Sequence, residues 1–118
     1  MKHFDLLDRT AKFGEAVIDF ALIIPKNAVT TPLIVQFVKA GTSIGANYCE
    51  ADSAESRKDF EHKMGISKKE AKECMYWLKM IARACPALEE KSKSLWNEAD
   101  ELHRIFLTSI KTSRSKQH

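Results

Sequence analysis

Three breaks divide the chain into four long amphipathic stretches, and this division limits the fold more than any other feature of the sequence. Pro25 and Pro86 each end a helical pattern, because proline cannot donate to the backbone ladder, and Asp52–Glu55 forms a polar corner. Only four glycines and three prolines occur in 118 residues, so the connections must be short. The sequence therefore predicts one all-α domain, an up-down-up-down antiparallel four-helix bundle over residues 1–118.

Capping residues and prolines define the predicted helix limits. Asp5 and Ser56 each precede an acid three residues later, which is typical of a helix N-terminus. Thr31–Pro32 offers a capping hydroxyl followed by proline at the first helical position. The polar, basic residues 110–118 are predicted to form a flexible tail. The four helices are predicted over about Asp5 to Ile24, Thr31–Pro32 to the corner at Asp52, Ser56 to about Ala84, and near Glu89 to near Ile110.

Helix two is apolar nearly all round. From residue 27 to residue 49 its only formal charge is Lys39. A helix of this kind must be covered on almost every side, and three partner helices in a small bundle cover only one side. We therefore predict a homo-oligomer with helix two near the subunit contact; the alternative is a central helix in a monomer. The residues predicted at the contact are Val38, Gly45, Tyr48, Asp59, Glu70 and Trp77.

Helix three has a one-sided basic face. Residues 56–85 hold eight basic and four acidic residues, net +4, whereas residues 1–55 are net −2. Two interpretations stay open, a solvated face and a phosphate-binding ridge. On the opposite flank, Trp77 is either a packing residue at the core edge or a subunit contact. The basic face consists of five residues within about 80° on a helical wheel, namely Lys58, Lys68, Lys72, Lys79 and Arg83.

Two acid-x-x-His pairs invite comparison with the carboxylate di-iron sites of helical bundles. They are Asp59 with His62 and Asp100 with His103. Helical phase places His62 roughly opposite the core seam of its helix, and Asp100 and His103 on a flank of theirs. We therefore interpret both histidines as solvated surface residues. The sequence predicts no metal site, no cofactor and no catalytic set.

The three cysteines and the N-terminus bear on the cellular compartment. Cys49, Cys74 and Cys85 have no metal-ligand spacing, and each is interpreted as a small buried apolar residue. An odd number of cysteines favours reduced thiols and hence the cytoplasm. The N-terminal residues lack a signal-peptide core, and no apolar run is long enough for a membrane span.

Several motifs together resemble a known family. They are S-I-G-A-N-Y-C-E-A at 43–51, A-E-S-R-K-D-F-x-H-K at 54–63, K-E-A-K-E-x-x-Y-W-L at 69–78, E-A-D-E-L-H-R-I-F at 98–106 and S-I-K-T-S at 109–113. The chain resembles the four-helix-bundle proteins encoded in 23S rRNA intervening sequences. The positions that match the family pattern are Asn47, Tyr48, Glu50, Arg57, Asp59, Phe60, Lys63, Glu70, Tyr76 and Trp77.

The resemblance implies more than the residues alone. It implies a bacterial bundle that forms a homopentameric ring, with most matching residues specifying the corner and subunit packing. A related branch, the accessory variability protein of diversity-generating retroelements, is basic and binds nucleic acid and a reverse transcriptase. Our chain carries a net charge of only +3, which favours weaker binding.

We therefore expect a non-enzymatic homo-oligomer, a pentamer by resemblance, that binds RNA or DNA weakly through the basic face of helix three. The alternative is a purely structural or protein-interaction ring that acts as an adaptor for another enzyme. The expected partners are other copies of the chain and RNA or DNA, or a protein partner in the adaptor alternative, and no membrane is expected.

Overall fold

The computed structural model describes residues 5–116, which form four long α-helices. These are α1 (Leu6–Ile23), α2 (Thr30–Asp52), α3 (Arg57–Ala84) and α4 (Glu89–Ser115), and a 3₁₀ turn at Pro86–Leu88 joins α3 to α4. Consecutive helices pack against each other, and α1 also contacts α4, though far less extensively. The predicted fold class, an up-down-up-down antiparallel four-helix bundle, is confirmed.

Two of the predicted N-caps are confirmed, and a third lies elsewhere. Asp5 accepts a hydrogen bond from the backbone N–H of Asp8 at 3.1 Å, and Ser56 accepts one from Asp59 at 3.0 Å. Helix α2 begins at Thr30, one residue before the predicted cap. There the side chain of Asn27 accepts from the N–H groups of residues 29 and 30 at 2.8 and 2.9 Å. The prediction of a Thr31 cap was wrong because this amide already satisfies the first free donors.

Helix α4 continues past the predicted end near Ile110, up to Ser115. Its last turns are held against α3, since the Ser113 hydroxyl donates to Glu61 Oε2 at 2.6 Å and Arg57 Nη1 donates to the Lys116 carbonyl at 2.8 Å. Most of the segment predicted as a flexible tail is therefore helix. Residues 117 and 118 of that prediction lie outside the described residues.

The core follows the predicted apolar seams. Buried side chains include Phe13 and Val17 of α1, Phe37 of α2, Leu78 of α3, and Leu102 and Phe106 of α4. A strict seven-residue repeat from Leu95 through Leu102 would place Ser109 in the core, but the buried residue at the end of α4 is Ile110, because an α-helix has 3.6 residues per turn and drifts from a strict heptad.

Two buried serines connect neighbouring helices through hydrogen bonds. The Ser67 hydroxyl of α3 donates to the Ile44 carbonyl of α2 at 2.9 Å. The Ser92 hydroxyl of α4 donates to the Leu78 carbonyl of α3 at 2.7 Å. A buried hydroxyl must be hydrogen-bonded, and these small side chains meet that need while letting the helices approach closely.

Arg9 connects α1 to α4, two helices that contact each other less extensively than consecutive helices do. Its Nε donates to Glu98 Oε2 at 2.7 Å, and its Nη2 donates to Glu98 Oε1 at 2.8 Å and to Glu101 Oε1 at 2.6 Å. The hydrogen bonds to Glu98 are the main cause of a raised pKa for Arg9, so the guanidinium is charged at all relevant pH values. Charge-assisted hydrogen bonds of this bidentate kind are stronger than neutral ones, and we refer to the three of them as the Arg9 fork.

Two glycines in helix interiors are expected to respond oppositely to alanine. A Cβ on Gly41 would lie 2.6 and 2.8 Å from the two methyl carbons of the buried Val17 side chain, whereas a Cβ on Gly65 would meet nothing within 4 Å. We expect Gly41→Ala to lower the free energy of unfolding, because overpacking costs about 1–3 kcal/mol and outweighs the gain in helix propensity. Gly65→Ala is expected to raise it by about 0.5–1 kcal/mol. Urea unfolding of both variants measures this, and equal shifts in the same direction would contradict the close approach of α1 to α2.

The three cysteines differ in environment. Cys74 is buried, and burial raises the pKa of its thiol to about 12. Cys85 is half-buried, while Cys49 is exposed, so the prediction of a buried side chain was wrong for Cys49. Within residues 5–116, no helix combines the length and apolarity needed to cross a membrane.

Candidate nucleic-acid interface

The five predicted cations of the α3 basic face are all accessible. Lys58, Lys72, Lys79 and Arg83 are exposed, and Lys68 is half-buried. Within residues 5–116, no carboxylate lies within 4 Å of any of these five side chains. Exposed cations without a carboxylate partner keep their positive potential available to an anionic ligand.

The basic face borders a groove between α3 and α4 that the sequence did not indicate. The groove has a volume of about 570 Å³ and opens to solvent near the end of α3. Trp96 and Lys93 of α4 line it together with Lys79 and Arg83 of α3. Its lining residues are Leu78, Lys79, Ala82, Arg83, Pro86, Glu89, Ser92, Lys93 and Trp96. We refer to this feature as the α3/α4 groove.

His103 shows that the positive potential extends from α3 onto α4. It was predicted to be a solvated surface residue, and it is half-buried. Burial is the main cause of a lowered pKa for His103, and the charges of Lys72 and Lys68 lower it further, with a smaller opposing effect from Asp100. The imidazole is therefore neutral at pH 7, and its pKa is sensitive to any anion that neutralises those two lysines.

The predicted contact residues of α3 lie on its other flank, towards α2. Asp59 is exposed, and Glu70 and Trp77 are half-buried. Burial raises the pKa of Glu70, with a further contribution from the charge of Glu73. The rings of Trp77 and the exposed Tyr76 meet edge to face, with centroids 5.0 Å apart. Tyr76 itself lies at the edge of the basic face, four residues after Lys72 and three before Lys79, so this ring pair connects the acidic flank to the basic face.

The predicted contact residues of α2 have partners within the chain. A Cβ on Gly45 would lie 3.2 Å from Thr10 Oγ1, so this glycine permits the close approach of α1. The ring centroids of Tyr48 and Phe106 are 6.3 Å apart, and burial raises the pKa of the Tyr48 hydroxyl. Val38 is half-buried and packs at the core edge. The six residues therefore do not share one face, and a role in subunit contacts stays a prediction for each of them.

An apolar groove between α1 and α2 is exposed on the outside of the bundle. Leu7 is 40% exposed and Ile18 is 45% exposed, although both belong to a long helix of the bundle. The groove has a volume of about 320 Å³, and Glu15 is the one ionised side chain among its lining residues within residues 5–116. Its lining residues are Leu7, Thr10, Ala11, Gly14, Glu15, Ile18, Thr42, Gly45, Ala46 and Cys49. We refer to it as the α1/α2 groove.

The two acid-x-x-His pairs do not converge on a common centre. His62 is exposed, as its helical phase predicted, and Asp100 pairs with Arg104 at 3.1 Å. Among residues 5–116, no three His, Cys, Asp or Glu side chains are arranged to hold a metal ion.

Helix order, packing and the basic face define the class, a small four-helix-bundle protein. The family profile described as 23S rRNA-intervening sequence protein matches residues 2–108, and the chain belongs to that family. It is similar to the crystal structure of a protein with unknown function from the S23 ribosomal protein family from Bacteroides thetaiotaomicron VPI-5482. The two structures superpose with a TM-score of 0.79, and their sequences are 31% identical. The match covers 91% of our chain and 99% of the Bacteroides protein's chain. No curated protein matches the chain.

Proposed function

We propose that the protein is a non-enzymatic, homo-oligomeric bundle that binds RNA weakly through the α3 basic face. The observation that carries this proposal is the set of five accessible cations on one side of α3, none of which has a carboxylate within 4 Å among residues 5–116. Phosphate contacts supply most of the affinity of a sequence-independent RNA-binding protein. A net charge of only +3 keeps the affinity modest.

Self-association is supported by the α1/α2 groove. Its exposed leucine and isoleucine lie beside the small residues Ala11, Gly14 and Ala46, so another helix can approach closely. Removing such a surface from water contributes about 25 cal/mol per Å². We propose a ring of five subunits, as the family resemblance implies, and such a ring would repeat the basic face in every subunit.

The test is RNA affinity measured as a function of salt, together with mass from light scattering on a sizing column. Five phosphate contacts predict a slope of log affinity against log salt of about −3 to −4 per subunit for a single strand. A flat response, or no binding at low salt, would remove the RNA proposal. Co-purification of a protein partner without nucleic acid would favour the adaptor alternative.

A further inference from the structure

The α3/α4 groove differs from an ordinary basic surface because it contains an indole. Trp96 is half-buried and packs against the core, yet it lines a groove that is open to solvent. Lys79 and Arg83 of α3 and Lys93 of α4 line the same groove. Cations beside an accessible aromatic ring are the combination with which proteins hold unpaired nucleotides, since the ring stacks on a base while the cations contact phosphates.

The spacing of rings along α4 and of lysines along α3 suits an extended RNA strand. Trp96 and His103 are seven residues apart on α4, which is about 10.5 Å along the helix axis. Lys72 and Lys79 have the same separation on α3. Lys68, Lys72 and His103 do not line the groove, although the charges of the two lysines contribute to the lowered pKa of His103. We expect a strand that leaves the groove at Trp96 to continue towards these three side chains.

We propose that the α3/α4 groove binds single-stranded RNA, with an unpaired base stacked on Trp96 and the adjacent phosphates on Lys79, Arg83 and Lys93. This inference rests on the proposed function and adds the form of RNA that the site takes. A duplex keeps its bases stacked inside, so it can present phosphates to the basic face but no free base to an indole in a groove. Glu89, the carboxylate of the groove lining, disfavours a phosphate beside it and leaves the phosphates to the three cations.

The first experiment compares a single-stranded oligouridylate of about twelve nucleotides with the same strand paired to oligoadenylate. We expect Trp96→Leu to weaken binding of the single strand about 5- to 150-fold, the equivalent of one lost base–aromatic stack, and to leave duplex affinity unchanged. The salt slope should stay the same, because the phosphate contacts remain. The matched control is Ile105→Ala, a half-buried residue of α4 nine positions further on and hence on the opposite side of the helix.

Two further readouts keep the proposal testable if Trp96→Leu folds poorly. In a Trp77→Phe protein, Trp96 is the remaining indole of the chain, and oligouridylate should quench its fluorescence. The pKa of His103, followed by NMR, should rise when the strand binds, because phosphates neutralise the potential of Lys68 and Lys72. Trp96→Phe should retain part of the affinity for the single strand.

The outcomes separate this inference from the proposed function. Equal affinity for single strand and duplex, with no effect of Trp96→Leu and no quenching of Trp96, would overturn the inference while leaving salt-dependent RNA binding intact. No RNA binding at low salt would overturn both. A selective loss of single-strand affinity in Trp96→Leu, with Ile105→Ala unaffected, supports the inference.

Discussion

Changing Lys72 and Lys79 to glutamate is expected to weaken RNA binding at least tenfold at physiological salt. Both side chains are exposed and have no carboxylate within 4 Å among residues 5–116, so the double change removes two phosphate contacts and adds two repulsive charges without disturbing the core. For a single strand, two lost contacts reduce the salt slope by about 1.4. An oligomer repeats both changes in every subunit, which enlarges the effect. Fluorescence anisotropy over a series of salt concentrations measures affinity and slope together.

The matched control changes Lys12 and Lys91 to glutamate. Both lysines are exposed, and the double change alters the net charge by the same amount, but Lys12 lies on α1 and Lys91 lies outside the α3/α4 groove lining. Unlike Lys72 and Lys79, Lys12 pairs with a carboxylate, Asp8 at 3.1 Å, so circular dichroism of this variant must show that the helices are retained. We expect this control to lose far less affinity. An equal loss in both double variants would show that overall charge governs binding, and the α3 basic face would then have no special role.

Replacing Ile18 with glutamate is expected to separate the proposed homo-oligomer into single chains of 13.4 kDa. Ile18 is 45% exposed in the single chain, so a carboxylate there is tolerated by the folded monomer. In an assembled ring the same carboxylate would be buried against an apolar partner surface, which costs several kcal/mol per contact. Light scattering on a sizing column gives the mass directly, and circular dichroism checks that the helices are retained.

The control for this variant is Ile23→Glu in the same helix. Ile23 is 49% exposed and lies five residues from Ile18, which turns it about 140° away from the α1/α2 groove. It is expected to keep the oligomer mass. A monomeric mass for the unchanged protein, or an unchanged mass for Ile18→Glu, would remove the proposed contact at this groove.

The fold could be predicted from the sequence because its signals are local. Apolar residues at three- and four-residue spacing identified the buried stripes, and Asp5 and Ser56 were identified as caps from the acids that follow them. The end of α4 could not be predicted in this way. It depends on Glu61 of α3, which accepts from Ser113 across the bundle, and such a contact has no signal in the local sequence.

The candidate site was only half predictable for a related reason. A helical wheel places Lys72, Lys79 and Arg83 on one side of α3, but it does not say which helix lies beside that side. Only the structure shows that α4 does, and that Trp96 completes the groove there. The sequence did contain one signal for this groove, the seven-residue spacing from Trp96 to His103. This spacing places both residues on the same flank of α4, beside its core seam.

Because of the Arg9 fork, the contact between α1 and α4 depends on ionic strength. The contacts of α2 with α3 and of α3 with α4 are extensive, whereas the smaller contact of α1 with α4 includes the ion pairs of Arg9 with Glu98 and Glu101. Salt screens partly exposed ion pairs but does not weaken apolar packing. Raising the salt concentration therefore loosens the α1–α4 edge at the same time as it competes for RNA phosphates. A salt titration of RNA affinity thus reports on two processes in this molecule, and the helix content of the free protein must be followed in parallel to separate them.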